Sequence, residues 1–217
     1  MRTIKFKSIF IFILLFSVAG VMVFVSLYIP WSYIHSYSVF LFLSGVIVFY
    51  IYAVFIYRMF LHFFPLKEGY IEPGSSQEFV YHVYLLFYLI LFYQLIRPKI
   101  IPVPILKIVY LLLGAKLGKN TFCSGTILDP IFFFAGNNTI IGEDSCLFAH
   151  AIEGTHLSHK QIILGNNVTI GAKSIVMSGV KVGDNSIVAA GSVVLKNTVI
   201  GKNEIWGGNP AKFIRTL

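Results

Sequence analysis

Between His150 and Lys160 the chain places three imidazoles, a carboxylate and an amine: His150, Glu153, His156, His159 and Lys160. An imidazole titrates near neutral pH, so it can take a proton and return it. Glu153, three residues beyond His150, is placed in sequence to hold the second nitrogen of that ring. Histidines at spacings of six and three residues also raise the question of a metal. The segment that carries these groups interrupts a regular stretch of chain, and what they can do depends on the frame that holds them.

That frame is a hexapeptide repeat. Leu164, Ile170, Val176, Val182, Val188, Val194 and Ile200 recur at every sixth residue. Neither the 3.6-residue wave of a helix nor the alternation of a strand returns an aliphatic side chain to every sixth position over a whole segment. A three-faced β-coil does, with one strand on each face and the recurring residue pointing into a stacked interior. The next position holds Gly165, Gly171, Gly183, Ala189 and Gly201, with Met177 and Leu195 as exceptions, as expected where backbone bends at tight corners. Four residues along stand Val168, Ser174, Val180, Ser186, Ser192, Thr198 and Glu204, mostly small enough for neighbouring turns to close up.

Upstream, Leu117, Cys123, Asp129, Ala135, Ile141 and Leu147 keep the period. Asp129-Pro130 and the run Ile131 to Phe134 repeat poorly and are expected to bend or cap the early coils. Leu147 and Leu164 lie 17 residues apart, one short of three hexads, so a loop is expected there. Cys123 and Cys146, inside or beside repeat positions, fit small apolar core residues in a reducing compartment, not a disulfide or a metal site.

The first half of the chain is a different object. With 57% hydrophobic residues and a mean hydropathy of +0.80, the sequence is too apolar for an ordinary soluble domain. The excess sits at the N-terminus. Ser8 to Ile29 is uncharged and long enough to span a bilayer core, which takes roughly 20 residues. Arg2, Lys5 and Lys7 precede it, but it is too long for a signal peptide and lacks a small-x-small cleavage site. Ser32 to Tyr57 is a second such run. Pro30 and Trp31 mark the link, with Tyr28, Trp31 and Tyr33 where aromatic rings prefer the interface.

The link has no Lys or Arg, whereas Arg58 and Lys67 follow the second run, so both ends of the hairpin are expected to face the cytoplasm. Phe79 to Ile96 and, apart from Lys107, Ile100 to Leu113 are also apolar. A lone third crossing would export the repeat domain with Arg97, Lys99 and Lys107, so an even number of crossings is expected. Two is the expectation, with the later segments in or against the membrane surface and Pro98, Pro102 and Pro104 breaking the chain between them; four is the alternative, although about 14 residues is short for a span. The net charge of +8 suits anionic lipid. The Lys and Arg are scattered and accompany no recognition motif, which argues against a nucleic-acid partner. The expected organisation is a transmembrane helical hairpin over 1–64, membrane-associated helices and linker over 65–116, and a β-helix over 117–217.

Leu117 to Leu217 resembles the left-handed β-helix acyltransferases, the hexapeptide-repeat family that includes galactoside, maltose and xenobiotic O-acetyltransferases. The ending Gly207-Gly208-Asn209-Pro210-Ala211-Lys212-Phe213-Ile214-Arg215 is similar to the family's closing segment. Ile170-Gly171-Ala172 and Val188-Ala189-Ala190-Gly191-Ser192-Val193-Val194 match its repeats. The resemblance implies an all-β, left-handed parallel β-helix, which here follows the N-terminal transmembrane α-helices expected from the apolar runs. The hand comes from the resemblance alone, since the general rule for parallel crossovers favours the opposite one. It also implies acetyl-CoA as cosubstrate, and sites shared between subunits of a homotrimer closed by cyclic symmetry.

For the site, the resemblance implies that His150 takes the proton of an acceptor hydroxyl, which attacks the thioester while a backbone amide stabilises the oxyanion. Glu153 would hold the ring. Coenzyme A would meet Ala172 and Ala190 along its pantetheine arm, and Lys196, Lys212 and Arg215 at its phosphates. Leu195 and Thr169 stand where the family often has Thr and an aromatic residue. A zinc-binding branch of the same fold spreads its histidines over separate coils and a neighbouring subunit, unlike His150, His156 and His159, so no metal is expected. His150-Ala151-Ile152-Glu153, followed by Trp206-Gly207-Gly208-Asn209-Pro210-Ala211, also looks like the transferase domains that end certain membrane-embedded peptide synthetases. Amide formation is therefore one alternative, and a non-catalytic trimeric membrane scaffold is another. The expectation is an O-acetyltransferase of the inner (cytoplasmic) membrane, multi-pass, with its C-terminal domain in the cytoplasm. Its acceptor would be a hydroxyl of a lipid-linked or membrane-proximal glycan, because a lipid-carried acceptor is concentrated where the anchor holds the enzyme.

Overall fold

The computed structural model describes residues 3–33 and 38–217, and their side chains outside 29–33 and 38. The chain divides into two compact units. One runs up to Leu66 and includes Pro73–Phe92; the other joins Lys67–Glu72 to Tyr93–Leu217.

The first unit is helical. Helix α1 spans Phe6–Tyr33 and α2 spans Ser38–Phe63. Contrary to expectation, α1 continues through Pro30, so the link falls later, at residues outside those described; the side chains of Pro30, Trp31 and Tyr33 are outside them too. Helix α3, Ser76–Phe87, starts where the Ser75 hydroxyl accepts the Glu78 N–H at 3.2 Å, a standard cap for the free amides of a first turn. The buried Glu78 carboxylate accepts the Gly74 N–H at 2.7 Å and pairs with Lys5 at 3.4 Å. Beyond a π-helical turn at Tyr88–Phe92, the chain passes through α4, Tyr93–Ile96, into the second unit. The helical core is aromatic: Phe12 meets Phe87, and Tyr57 meets Phe92, each edge to face at 5.2 Å.

The second unit is a parallel β-coil with three faces. The first face stacks Lys116–Leu117, Phe133–Ala135, Ile162–Leu164, Lys181–Val182 and Val199–Ile200. The second stacks Phe122–Cys123, Ile140–Ile141, Thr169–Ile170, Ile187–Val188 and Glu204–Gly207, with Lys212–Thr216 added antiparallel at its end. The third stacks Thr126–Ile127, Cys146–Leu147, Ile175–Val176 and Val193–Val194. All seven aliphatic residues of the C-terminal repeat point inward and are at most 4% exposed. Each such burial contributes about 1.5–3 kcal/mol, and their regular spacing sums these into one continuous core. Helix α5, Val103–Leu113, closes the first coil: Leu106, Tyr110 and Leu113 are buried, and the Tyr110 hydroxyl donates to the Gly125 carbonyl while accepting the Ile127 N–H.

Two features of the repeat have a different physical basis from the one its sequence suggested. Gly171, Gly183 and Gly201 are not at left-handed backbone positions; a Cβ on Gly183 would stand 2.7 Å from the Gly201 backbone, so glycine is needed for neighbouring coils to touch. One row of left-handed corners belongs to asparagine. Asn120, Asn138, Asn167, Asn185 and Asn203, with φ between 51° and 59°, stack in a ladder of amide-to-amide hydrogen bonds of 2.9–3.3 Å. The small polar residues between them also bond: Ser174 and Ser186 donate to the Ala189 and Gly201 carbonyls at 3.0 and 2.7 Å.

Candidate active site

Two breaks in the period build the site. In most of the stack, neighbouring strands are 18 residues apart, as Lys181 is from Ile163 and from Val199. Thr126 and Cys146, however, pair at a separation of 20. Ile127, not Asp129, therefore fills the core position of the first coil, at 1% exposed, and Asp129 is released from the repeat. Phe134 and Ile163 pair at a separation of 29, so 11 extra residues leave the coil between them. The expected loop is ordered as an antiparallel hairpin, His150–Glu153 with His156–His159, and Gly69–Tyr70 adds a third strand along its outer edge.

Asp129 and His150 meet where these breaks converge. His150 Nδ1 lies 2.7 Å from Asp129 Oδ2, which also accepts the N–H groups of Ala149 and His150 at 2.9 and 3.1 Å. The Asp129 side chain is 4% exposed and that of His150 is 26% exposed. Burial alone would raise the Asp129 carboxyl, but the hydrogen bond and positive charge of His150 outweigh it and hold the group below the usual carboxylate range. Burial alone would lower His150, and the bond and charge of Asp129 hold it above the ordinary imidazole value. An ionised carboxylate only accepts hydrogen bonds, so the proton of neutral His150 sits on Nδ1 and the Nε2 lone pair is left to act as a base. Phe148 and His159 wall the ring, at centroid distances of 5.7 and 6.4 Å. His159 is 1% exposed, and burial pushes its pKa down to about 4.

Glu153 does not hold His150. Residues three apart on a strand point to opposite sides, and the Glu153 carboxylate instead receives Lys196 Nζ, 2.7 Å from both oxygens. The same alternation separates the histidines: His150 and His159 face each other on one side of the hairpin, while His156 stacks on Tyr70 at 4.2 Å on the other. Among the described residues no group of three or more His, Cys, Asp or Glu is arranged as a metal site. Cys123 is an inward residue whose thiol is pushed up to about 12 by burial, and burial also raises Cys146, on the outer side of the third face.

The residues assigned to coenzyme A do not gather in one place on a single chain. Ala172 and Ala190 are exposed on the corner between the second and third faces, one coil apart, where the Ala172 carbonyl accepts the Gly191 N–H at 2.9 Å. Gly207-Gly208 takes that corner in the next coil. Asn209-Pro210-Ala211 then folds back onto the third face, with Val193 bonded to the Gly208 carbonyl at 2.9 Å and to the Ala211 N–H at 2.8 Å. His150 and Lys196 lie at the opposite edge of the third face. Lys212 and Arg215 are exposed on the terminal strand, pairing with Gly207 and Ile205.

Residues 161–196 match the family model for bacterial transferase hexapeptide (six repeats). Over those residues the chain is similar to the hexapeptide repeats of that transferase family, in keeping with the three-faced parallel β-coil. Among known proteins it is similar to "Putative acetyltransferase YvoF" of Bacillus subtilis strain 168, at 35% identity over 112 residues. That match covers 48% of this chain and 62% of YvoF, so the chain spans less than two thirds of the curated relative. Similar solved structures include a hexapeptide-repeat acetyltransferase of Vibrio cholerae O1 biovar eltor complexed with acetyl coenzyme A, with 26% identity, a TM-score of 0.45, and coverage of 48% of this chain and 61% of that one. A galactoside acetyltransferase in complex with coenzyme A has 18% identity, a TM-score of 0.41, and coverage of 76% and 80%.

Proposed function

We propose that this chain is a membrane-anchored acetyltransferase that moves the acetyl group of acetyl-CoA to a hydroxyl of a lipid-linked or membrane-proximal glycan. The observation that carries the reading is the Asp129–His150 pair, which leaves a half-sheltered imidazole with Nε2 as its acceptor. His150 Nε2 takes the proton of the acceptor hydroxyl as its oxygen attacks the thioester carbonyl. The tetrahedral oxyanion then collapses, the C–S bond breaks, and the thiolate of coenzyme A receives the proton held by His150. The relation to YvoF supports acetyl transfer as the reaction class.

The donor lies along the Ala172–Ala190 corner, whose small exposed side chains let a pantetheine arm approach the backbone, with Lys196, Lys212 and Arg215 for its phosphates. That corner and His150 occupy opposite edges of one face, so the reacting groups come together across neighbouring copies, as in a homotrimer. Two candidate spans, Phe6–Tyr28 and Val39–Phe63, would anchor the enzyme, and the basic residues flanking them support a C-terminal domain in the cytoplasm. The test is release of coenzyme A by the full-length protein in detergent. His150→Ala is expected to lower that rate by about 10²–10⁴, and equal rates in variant and parent remove the assignment.

A further inference from the structure

Three helical runs, Phe6–Tyr28, Val39–Phe63 and Ser76–Ile96, are long and apolar enough to cross a membrane. The third differs in its surroundings: 56% of its apolar window is buried inside the protein, against 17% for each of the others. Its first turns also carry the buried Glu78 and His82. Its 21 residues would rise about 30 Å as a helix.

What holds the two ends of this run is more telling. Ahead of it, Glu68 Oε2 accepts the Gln161 N–H at 3.2 Å, and the Ile71 N–H donates to the Leu157 carbonyl at 2.9 Å. Gly69 and Tyr70 pair with His159 and Ser158 in the same stretch. Behind it, Lys99 pairs with Asp144 and, at 3.7 Å, with Glu143. Residues 157–161 and 143–144 belong to the same compact unit, which also holds Lys67–Glu72 and the chain from Tyr93 onward. A crossing helix would deliver Glu72 and Arg97 to opposite aqueous phases. The stack would then have to pass through hydrocarbon, where its corner carbonyls and open strand edges find no partner.

We propose that the run Ser76–Ile96 does not cross the bilayer. The chain crosses twice, through α1 and α2, and the β-coil rests on the leaflet that faces the N-terminus, touching lipid through α5. The inward side of α5 closes the coil, as described. Its opposite side presents Ile105, Ile108 and Leu112, which are 52%, 55% and 50% exposed. From Tyr93 to Asn120 the sequence has Arg97, Lys99, Lys107, Lys116 and Lys119 and no acidic residue, although Glu143 and Asp144 meet the charge of Lys99. An apolar strip within a basic segment has the chemistry of a surface made for anionic headgroups. This deepens the membrane reading above and is independent of the transfer reaction.

The test uses the full chain in sealed vesicles, with Cys146→Ser and the buried Cys123 retained. Thr3→Cys, His35→Cys, Glu72→Cys, Arg97→Cys and Lys202→Cys are each labelled with a membrane-impermeant maleimide. Thr3→Cys, Glu72→Cys, Arg97→Cys and Lys202→Cys are expected to label from one face and His35→Cys from the other. Labelling of Glu72→Cys and Lys202→Cys from opposite faces overturns the proposal, as does Arg97→Cys labelling from the face of His35→Cys. The readout is the label, so loss of transferase activity neither supports nor sinks it.

Discussion

The late coils and the early coils of the β-helix are built from the same hexad but do different work. From Leu164 to Gly207 the strands follow one another at 18-residue intervals, and their side chains are committed to stacking. Between Leu117 and Leu164 the spacing lapses twice, once at Thr126–Ile127 and once at the hairpin, and the two lapses bring Asp129 to His150. In a strict repeat every inward position is spent on the core and every corner on the next coil. Reactive groups therefore come from where the register fails.

This contrast can be broken or sharpened by substitution in each half. The largest effect after His150→Ala is expected from Asp129→Asn, which keeps the shape but removes the charge that fixes the ring tautomer. Turnover should fall by about 10²–10⁴-fold, with circular dichroism unchanged. Because Asp129 holds His150 above its ordinary pKa, and the base works unprotonated, losing that charge should move the acid limb of the pH–rate profile to lower pH. A limb that stays in place would show that the carboxylate is not what tunes the base.

In the regular half, Gly183→Ala should act on stability and spare the chemistry. Its Cβ would meet the Gly201 backbone, and the strain is expected to cost about 1–3 kcal/mol in urea unfolding, with turnover per folded molecule near that of the parent. The smallest effect is expected at Asn185→Ala, about 1 kcal/mol, since alanine tolerates a φ of 59° less well and breaks two rungs of the ladder. Asn185→Gly separates these causes: stability close to the parent's would assign the cost to the backbone, and a loss equal to alanine's would assign it to the amide ladder.

The coil was legible in the sequence because its cause is periodic: Leu164 to Ile200 recur where the core needs them, and all are buried. The proposed base, His150, stood out in the sequence as the last residue before the period failed. Its partner was not, because Asp129 falls on a hexad position when counted along the chain and leaves it only through the shortened spacing at Thr126. A carboxylate standing where every neighbouring hexad position is apolar was the available signal. Glu153 looked the better partner from proximity alone, which ignores the alternation of side chains along a strand. The Gly69–Tyr70 strand had no local signature, since two residues carry no pattern and its partner lies some ninety positions away.

The strands on either side of the hairpin, Phe133–Ala135 and Ile162–Leu164, pair as though nothing had been inserted between them. The inserted stretch is thus nearly free of the scaffold's demands, while the Ala172–Ala190 corner, the proposed donor site, stays tied to the repeat. Under the proposed reaction, such an arrangement would let a lineage exchange one acceptor for another by rewriting about a dozen residues, without re-inventing how the acyl group is delivered.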